Sequence, residues 1–219
     1  MKKLFFFFAI LSSVVLLSSC DQIFGPKEGP NDLGGSTDVD YAKVGEKFTG
    51  SLKINGTYKD VDNSITVTKN DNGVVTLHIT ANVSNFNEIA SLVSLLPPSV
   101  KDANGNINAD MKLKITTEGI QDYNNKDGKA HTIVKYNANV GDTYKLTKSD
   151  GTTITRTVTA KSTTDDFPWG FLLIKTITVE QDSRIPGVKK IIMKANHKFG
   201  LVFVSFVMED GTEISSVII

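Results

Sequence analysis

Residues 63–83 read NSITVTKNDNGVVTLHITANV. On each side of Asn72-Gly73, apolar side chains such as Ile65 and Val75 alternate with threonine and other polar residues. Because successive side chains of a strand point to opposite faces, a period of two predicts two strands, each with one apolar face. Asn-Gly supplies the positive φ angles that a two-residue hairpin turn requires. The stretch therefore predicts a β-hairpin that packs one face onto a core.

The same pattern continues through most of the chain from about Tyr41 to Ile219. Further alternating runs occupy 46–54 and 111–115, and Asn-Gly or Asp-Gly turns recur at positions 55, 104, 127, 150 and 210. Residues 201–208 are apolar except for one serine, which is typical of a central strand covered on both faces. The sequence predicts an all-β fold, mainly an antiparallel meander, arranged as a sandwich or an open barrel.

One segment has helical rather than strand periodicity. Asn85 is a candidate N-cap, and Glu88 three residues later is a candidate capping-box partner. An apolar stripe at helical spacing ends before two prolines and comprises Phe86, Ile89, Leu92, Val93 and Leu96. We expect one short α-helix near residues 85–96, lying across a sheet.

The N-terminus carries an export signal. Lys2 and Lys3 precede an apolar run, residues 4–17, which is shorter than the roughly 20 residues that span a bilayer. The run ends in Leu17-Ser18-Ser19-Cys20, which resembles the lipobox of bacterial lipoproteins. The resemblance implies cleavage before Cys20, a diacylglycerol group on its thiol, and a fatty acyl chain such as palmitate on its new amino terminus.

This reading divides the chain into a signal peptide (1–19), the lipidated Cys20 with a flexible tether (20–40), and a β-rich domain (41–219). The tether assignment rests on the many glycine, proline and aspartate residues of 21–40. Residues 44–48 are echoed by residues 140–144, so a second unit is a candidate with a boundary near 125. The expected location is the cell envelope, anchored to a membrane on the periplasmic side or the cell surface, with the outer membrane favoured.

Composition argues against several classes of function. The chain has 24 basic and 24 acidic residues, so its net charge gives no electrostatic attraction to nucleic acid. With Cys20 as its one cysteine, the domain has no disulfide and no thiolate chemistry. The three histidines, His78, His131 and His197, show no metal-binding spacing, and nucleophile-elbow and phosphate-loop motifs are missing. We therefore expect no cofactor and no enzymatic activity.

A run of side-chain oxygens is a candidate calcium site. Every second residue contributes one, in the order Asp102, Asn104, Asn106, Asn108 and Asp110. The run resembles the start of an EF-hand loop, but the sixth position is Ile107 rather than glycine and the twelfth is Leu113 rather than an acid. A polar loop between strands explains the same residues.

A second candidate site concentrates aromatic and acidic residues within 165–171: Asp165, Asp166, Phe167, Trp169 and Phe171. Aromatic rings beside carboxylates can stack on sugars and bind hydroxyl groups. The alternative is a hydrophobic plug at the end of a sandwich. A third interpretation treats the two aspartates as paired acids of a glycan hydrolase.

The sequence thus favours a membrane-anchored, non-catalytic binding or interaction module, with a glycan, a lipid or a protein as its ligand. The alternative is a periplasmic carrier of a hydrophobic or lipid ligand, with a curved sheet covered by the helix. The carrier requires a large apolar cavity facing that helix.

Overall fold

The structure is a computed structural model and describes residues 31–94, 97–183 and 185–219. The predicted signal peptide, Cys20 and the first part of the predicted tether lie outside the described residues. Sixteen strands form within them: β1 (Lys47–Phe48), β2 (Gly50–Ile54), β3 (Thr57–Lys59), β4 (Asn63–Asp71), β5 (Val74–Ala81), β6 (Ile107–Thr116), β7 (Gly119–Asp122), β8 (His131–Lys135), β9 (Thr143–Thr147), β10 (Thr153–Lys161), β11 (Phe167–Trp169), β12 (Leu172–Ile174), β13 (Ile177–Asp182), β14 (Val188–Asn196), β15 (Gly200–Met208) and β16 (Glu213–Ile218).

Two open antiparallel sheets hold most of these strands. The first sheet has the order β1-β4-β5-β6-β7-β8, and the second has the order β3-β2-β16-β15-β14-β13-β10-β9. The main core draws on both, with Val67 and Val75 from the first sheet packed in one cluster with Val158 and Val179 from the second. The predicted all-β antiparallel fold is confirmed, and a shared core makes the two sheets one packed unit.

The predicted hairpin of residues 63–83 forms as expected. Asn72 and Gly73 have φ angles of 49° and 84°, and they join β4 to β5. Residues 46–54, in contrast, do not form one strand. The chain leaves the first sheet after Phe48 and enters the second at Gly50, because the backbone of Thr49 pairs instead with Ile219.

The two sheets repeat one topology. Six strands follow each other as neighbours in the first sheet, and β9, β10, β13, β14, β15 and β16 do so in the second. Each series begins with a glycine of the same geometry: Gly45 (φ 97°) donates to Val67, and Gly141 (φ 98°) donates to Val158. The sequence echo therefore marks equivalent strand entries, and the chain crosses between the sheets at 136–142 rather than near 125.

The predicted helix is present but shorter. A 3₁₀ turn at Asn87–Ile89 leads into α1, Ala90–Ser94, and Leu96 lies outside the described residues. The capping box is wrong: Phe86 is the N-cap residue, no side chain caps the turn, and Glu88 pairs with Lys59 at 2.6 Å. Two further 3₁₀ turns lie at Asp40–Ala42 and Pro98–Val100.

Residues 31–40 belong to the domain, which corrects the predicted tether. The Asn31 amide donates to the Lys145 carbonyl of β9 and accepts from the Thr132 backbone of β8, so it bridges the free edges of the two sheets. Leu33 is 7% exposed and Val39 lies in the core. Glycine serves close packing here rather than flexibility, since a Cβ on Gly35 would lie 2.8 Å from the Thr117 hydroxyl.

Candidate functional site

The predicted aromatic segment forms a hairpin, β11 and β12, against the outer face of the second sheet. The outer face is identified by Lys194 and Phe203, which pair across β14 and β15 and alternate with the core residues Met193 and Val204. Phe167 meets the ring of Phe203 edge to face at 5.9 Å. The Lys194 ammonium lies 4.9 Å from the Phe167 ring centroid, within range of a cation–π interaction.

Trp169 fastens the hairpin to the sheet. Its indole stacks on Phe199 with ring centroids 4.1 Å apart, and its Nε1 donates to the Ile218 carbonyl at 2.6 Å. One face of the ring and its polar atom are thus used within the protein. Trp169 and Phe167 act as anchors of the hairpin, as the plug interpretation expects, and Trp169 offers at most one face to a sugar.

The two acidic residues lie in the exposed turn that leads into β11. Asp166 accepts a hydrogen bond from the Ser162 hydroxyl at 2.7 Å, which closes this turn, and Asp165 is exposed. The turn positions both carboxylates beside the hairpin.

The tip of the hairpin carries Phe171 of the predicted aromatic segment together with two leucines, Leu172 and Leu173, that sequence reasoning missed. After Gly170 (φ 57°) come Phe171, Leu172 and Leu173, which are 108%, 53% and 59% exposed. The available signal was a run of three large apolar residues at a glycine turn, where polar residues are the norm. These side chains, rather than Trp169, present the accessible apolar surface of the hairpin.

Further exposed apolar side chains lie at the same end of the sandwich. Ile219 follows β16, Val44 precedes β1 and Val140 precedes β9, and the strand directions place all three positions at the end that carries the hairpin. Phe171, Leu172 and Leu173 together with these three are called the apolar end below. They make up six of the eight exposed large hydrophobic side chains in the described part of the chain.

Aromatic contacts connect the loops behind the apolar end. The hydroxyl groups of Tyr41 and Tyr136 lie 2.8 Å apart in a hydrogen bond, and Tyr136 meets the ring of His197 edge to face at 6.4 Å. The Trp169–Phe199 stack continues the series toward the hairpin. Burial raises the pKa of Tyr41 and of Tyr136, so both phenols stay neutral at physiological pH. These aromatic contacts hold together the loops next to the apolar end.

Charges of both signs flank the tip. Two basic residues, Lys175 and Lys198, and two acidic residues, Asp165 and Asp166, are exposed near the hairpin. The surroundings of the hairpin therefore have no single sign of charge that would select a charged ligand.

The residues of the calcium candidate are divided between a loop, where Asn106 donates to the Asp102 carboxylate, and the strand β6. The Asp102 carboxylate accepts the backbone amides of Asn104 and Asn106, and the Asn106 side-chain oxygen accepts those of Val83 and Ser84. Asn108 and Asp110 lie further along β6, where residues two apart are separated by about 6.6 Å. Within the described ranges, no three His, Asp, Glu or Cys side chains form an arrangement that could hold a metal ion.

The other titratable groups occupy structural positions. His78 pairs with Asp110 at 2.9 Å across the exposed face of the first sheet. Arg156 and Asp122 form an ion pair at 2.6 Å between the sheets, and both are less than 7% exposed. His131 lies beside this pair at 1% exposure, where burial is the main cause that lowers its pKa. A buried network of this kind gives a substrate no access.

The helix packs on the opposite end of the sandwich. Ile89 is 4% exposed and lies in a cluster with Ile54, Val188 and Met208. The described contacts beneath the helix are thus between the protein's own side chains. None of the described helical segments has the length and hydrophobicity needed to cross a membrane.

Comparison with known proteins gives one structural similarity. No family model matches the sequence, and no curated protein matches it either. Among solved structures, the chain is similar to a protein of Bacteroides fragilis described as exported and as having a YmcC-like fold. The TM-score is 0.47 at 11% sequence identity, and the match covers 80% of this chain and 94% of the other.

Proposed function

We propose that this protein is an exported lipoprotein, anchored through Cys20 in the cell envelope, that works as a non-catalytic interaction module. Its binding surface is the apolar end of the sandwich. The observation that carries the proposal is the exposure of Phe171, Leu172 and Leu173 at the tip of a hairpin.

A soluble domain gains nothing from such a tip, because contiguous apolar surface in water favours aggregation unless a partner covers it. Burial of each large apolar side chain contributes about 1.5–3 kcal/mol. The Trp169 anchor supports the proposal further, since it holds the hairpin in one position on the sheet before any partner arrives. A preorganised site loses less conformational entropy on binding.

The chemistry of the tip favours an apolar partner. Phe171, Leu172 and Leu173 offer no side-chain hydrogen-bond donors or acceptors, which a glycan ligand would need. The enzymatic alternative has the turn of Asp165 and Asp166 as its one candidate, and Asp166 is engaged there by Ser162. The arrangement supports binding rather than hydrolysis.

The anchor keeps the domain near a membrane. Asn31, the first described residue, follows Cys20 by eleven positions. Eleven residues span at most about 40 Å when fully extended. The module would therefore meet partners that are themselves in, on or close to the membrane.

Photo-crosslinking in the native cells tests this proposal. A photoreactive amino acid replaces Phe171 in the full chain, and a matched variant carries it at Tyr58, which is 66% exposed in β3 at the other end of the sandwich. We expect position 171 to crosslink to envelope lipid or to a discrete protein, well above position 58. Equal, weak crosslinking at both positions would contradict an interaction surface at the apolar end. In the same cells, Cys20→Ala should move the protein out of the membrane fraction.

A further inference from the structure

We infer that the apolar end binds a lipid surface, with the tip of the β11–β12 hairpin inserted among the acyl chains next to the headgroups. This inference rests on the proposed function, because it names the partner of the same surface. The exposed tip, the amphipathic residues behind it and the short connection to the lipidated Cys20 each favour lipid as the partner.

The tip is apolar on both of its faces. Leu172 and Leu173 are neighbours in β12, so their side chains point to opposite sides of the hairpin, and each is more than half exposed. A hairpin that docks on a protein needs one apolar face, and its other face stays in water. A tip that enters a bilayer is surrounded by hydrocarbon and needs both, as this one has.

The exposed side chains of the apolar end come from several loops rather than from one. Val44 and Val140, 62% and 60% exposed, come from equivalent strand entries of the two sheets, and Ile219 comes from the chain terminus beside Gly170. The hairpin, Val44, Val140 and Ile219 therefore lie at the same end of the sandwich. Such an arrangement fits the nearly flat surface of a bilayer better than a concave pocket.

Amphipathic groups lie directly behind the tip, as membrane interfaces favour. Trp169 ends β11 and pairs with Leu172 across the turn that carries Phe171, so its indole lies next to the tip. Lys175 and Lys198 can keep their ammonium groups among the headgroups while their stems contact hydrocarbon.

The anchor supplies the lipid at high local concentration. Since Asn31 follows Cys20 by eleven residues, the domain stays within about 40 Å of the bilayer even when this connection is fully extended. Weak insertion then becomes effective because it is intramolecular. Charges of both signs lie around the hairpin, with Asp165 and Asp166 beside Lys175, Lys194 and Lys198, so we expect insertion into neutral phosphatidylcholine as well.

Fluorescence in proteoliposomes tests the inference. The full lipidated chain carries a polarity-sensitive dye on Phe171→Cys, and a matched variant carries it on Tyr58→Cys. In the lipoprotein the sulfur of Cys20 is bonded to diacylglycerol, so it has no free thiol to react with the dye. The vesicles are phosphatidylcholine with a small fraction of lipid that bears a nitroxide near the headgroup. We expect blue-shifted emission and strong quenching at 171, and water-like, unquenched emission at 58.

Water-like and unquenched emission at both positions would overturn lipid insertion. Crosslinking in cells separates this failure from failure of the proposed function. If position 171 still crosslinks to a discrete protein, the apolar end is an interaction surface for a protein and the lipid assignment is wrong. If it crosslinks to nothing, both proposals are wrong. Serine at 171, 172 and 173 together should reduce insertion in the labelled protein to the level of the control.

Discussion

Two aromatic residues of one hairpin should behave in opposite ways when they are replaced. Trp169 stacks on Phe199 with centroids 4.1 Å apart and donates to the Ile218 carbonyl at 2.6 Å, whereas Phe171 is fully exposed. Trp169→Ala therefore removes packing and a hydrogen bond, and Phe171→Ala removes neither. The pair separates residues that hold the hairpin from residues that it presents.

The expected size of the difference follows from the contacts. The aromatic stack contributes about 0.5–1.5 kcal/mol, the hydrogen bond about 0.5–1.5 kcal/mol, and the lost partial burial about 1 kcal/mol more. Trp169→Ala should thus lower the free energy of unfolding by about 2–4 kcal/mol. In a domain of this size, that corresponds to a decrease in Tm of roughly 4–16 °C. Phe171→Ala should change stability by less than about 0.5 kcal/mol.

Urea denaturation followed by circular dichroism measures both variants against the parent chain. A stability loss in Phe171→Ala equal to that in Trp169→Ala would mean that the tip packs against the domain, and the reasoning would be refuted. A neutral Trp169→Ala would equally refute the assignment of the indole as an anchor.

Three further results are expected. Asp122→Asn should cost about 3–5 kcal/mol in urea denaturation, because it leaves the buried Arg156 guanidinium without its anion. Burial lowers the pKa of His131 from the usual 6.5, so the folded state binds this proton less readily than the unfolded state does. The free energy of unfolding should therefore be highest above pH 6.5 and decrease as the pH falls below it. His131→Gln should make this decrease between about pH 7 and pH 5 smaller. Gly73→Ala should destabilise more than Gly105→Ala by thermal melting: both have a positive φ, but a Cβ at 73 would lie 2.5 Å from a side chain of the 31–40 segment, and at 105 it meets nothing within 4 Å.

Local patterns predicted the local structure well. The hairpin of 63–83 formed because its alternation and its Asn-Gly turn agree. The helix near residues 85–96 was predicted by its apolar spacing, but its cap was not. Glu88 found a lysine across the fold instead of the backbone, and sequence spacing contains no information about that partner.

Features that depend on distant contacts were missed. The glycines of 31–40 suggest flexibility, yet the same residue permits close approach, and only the neighbouring strands decide between the two. The sequence did mark the buried Arg156, because it lies between Ile154 and Val158, two residues from each, on a strand face that is otherwise apolar. Its partner Asp122 lies 34 positions away, so the pair became recognisable once the sheets were assembled.

The most direct test of the account is thiol accessibility of the apolar end in intact envelopes. Phe171→Cys and Tyr58→Cys are each expressed in the full chain and treated with a water-soluble maleimide, before and after release of the domain by a protease site placed between Cys20 and Asn31. By exposure alone, at 108% against 66%, position 171 should react at least as fast as position 58. The account predicts that position 171 is protected in the envelope and becomes reactive on release, while position 58 reacts in both states. Rapid labelling of position 171 in the intact envelope would contradict it.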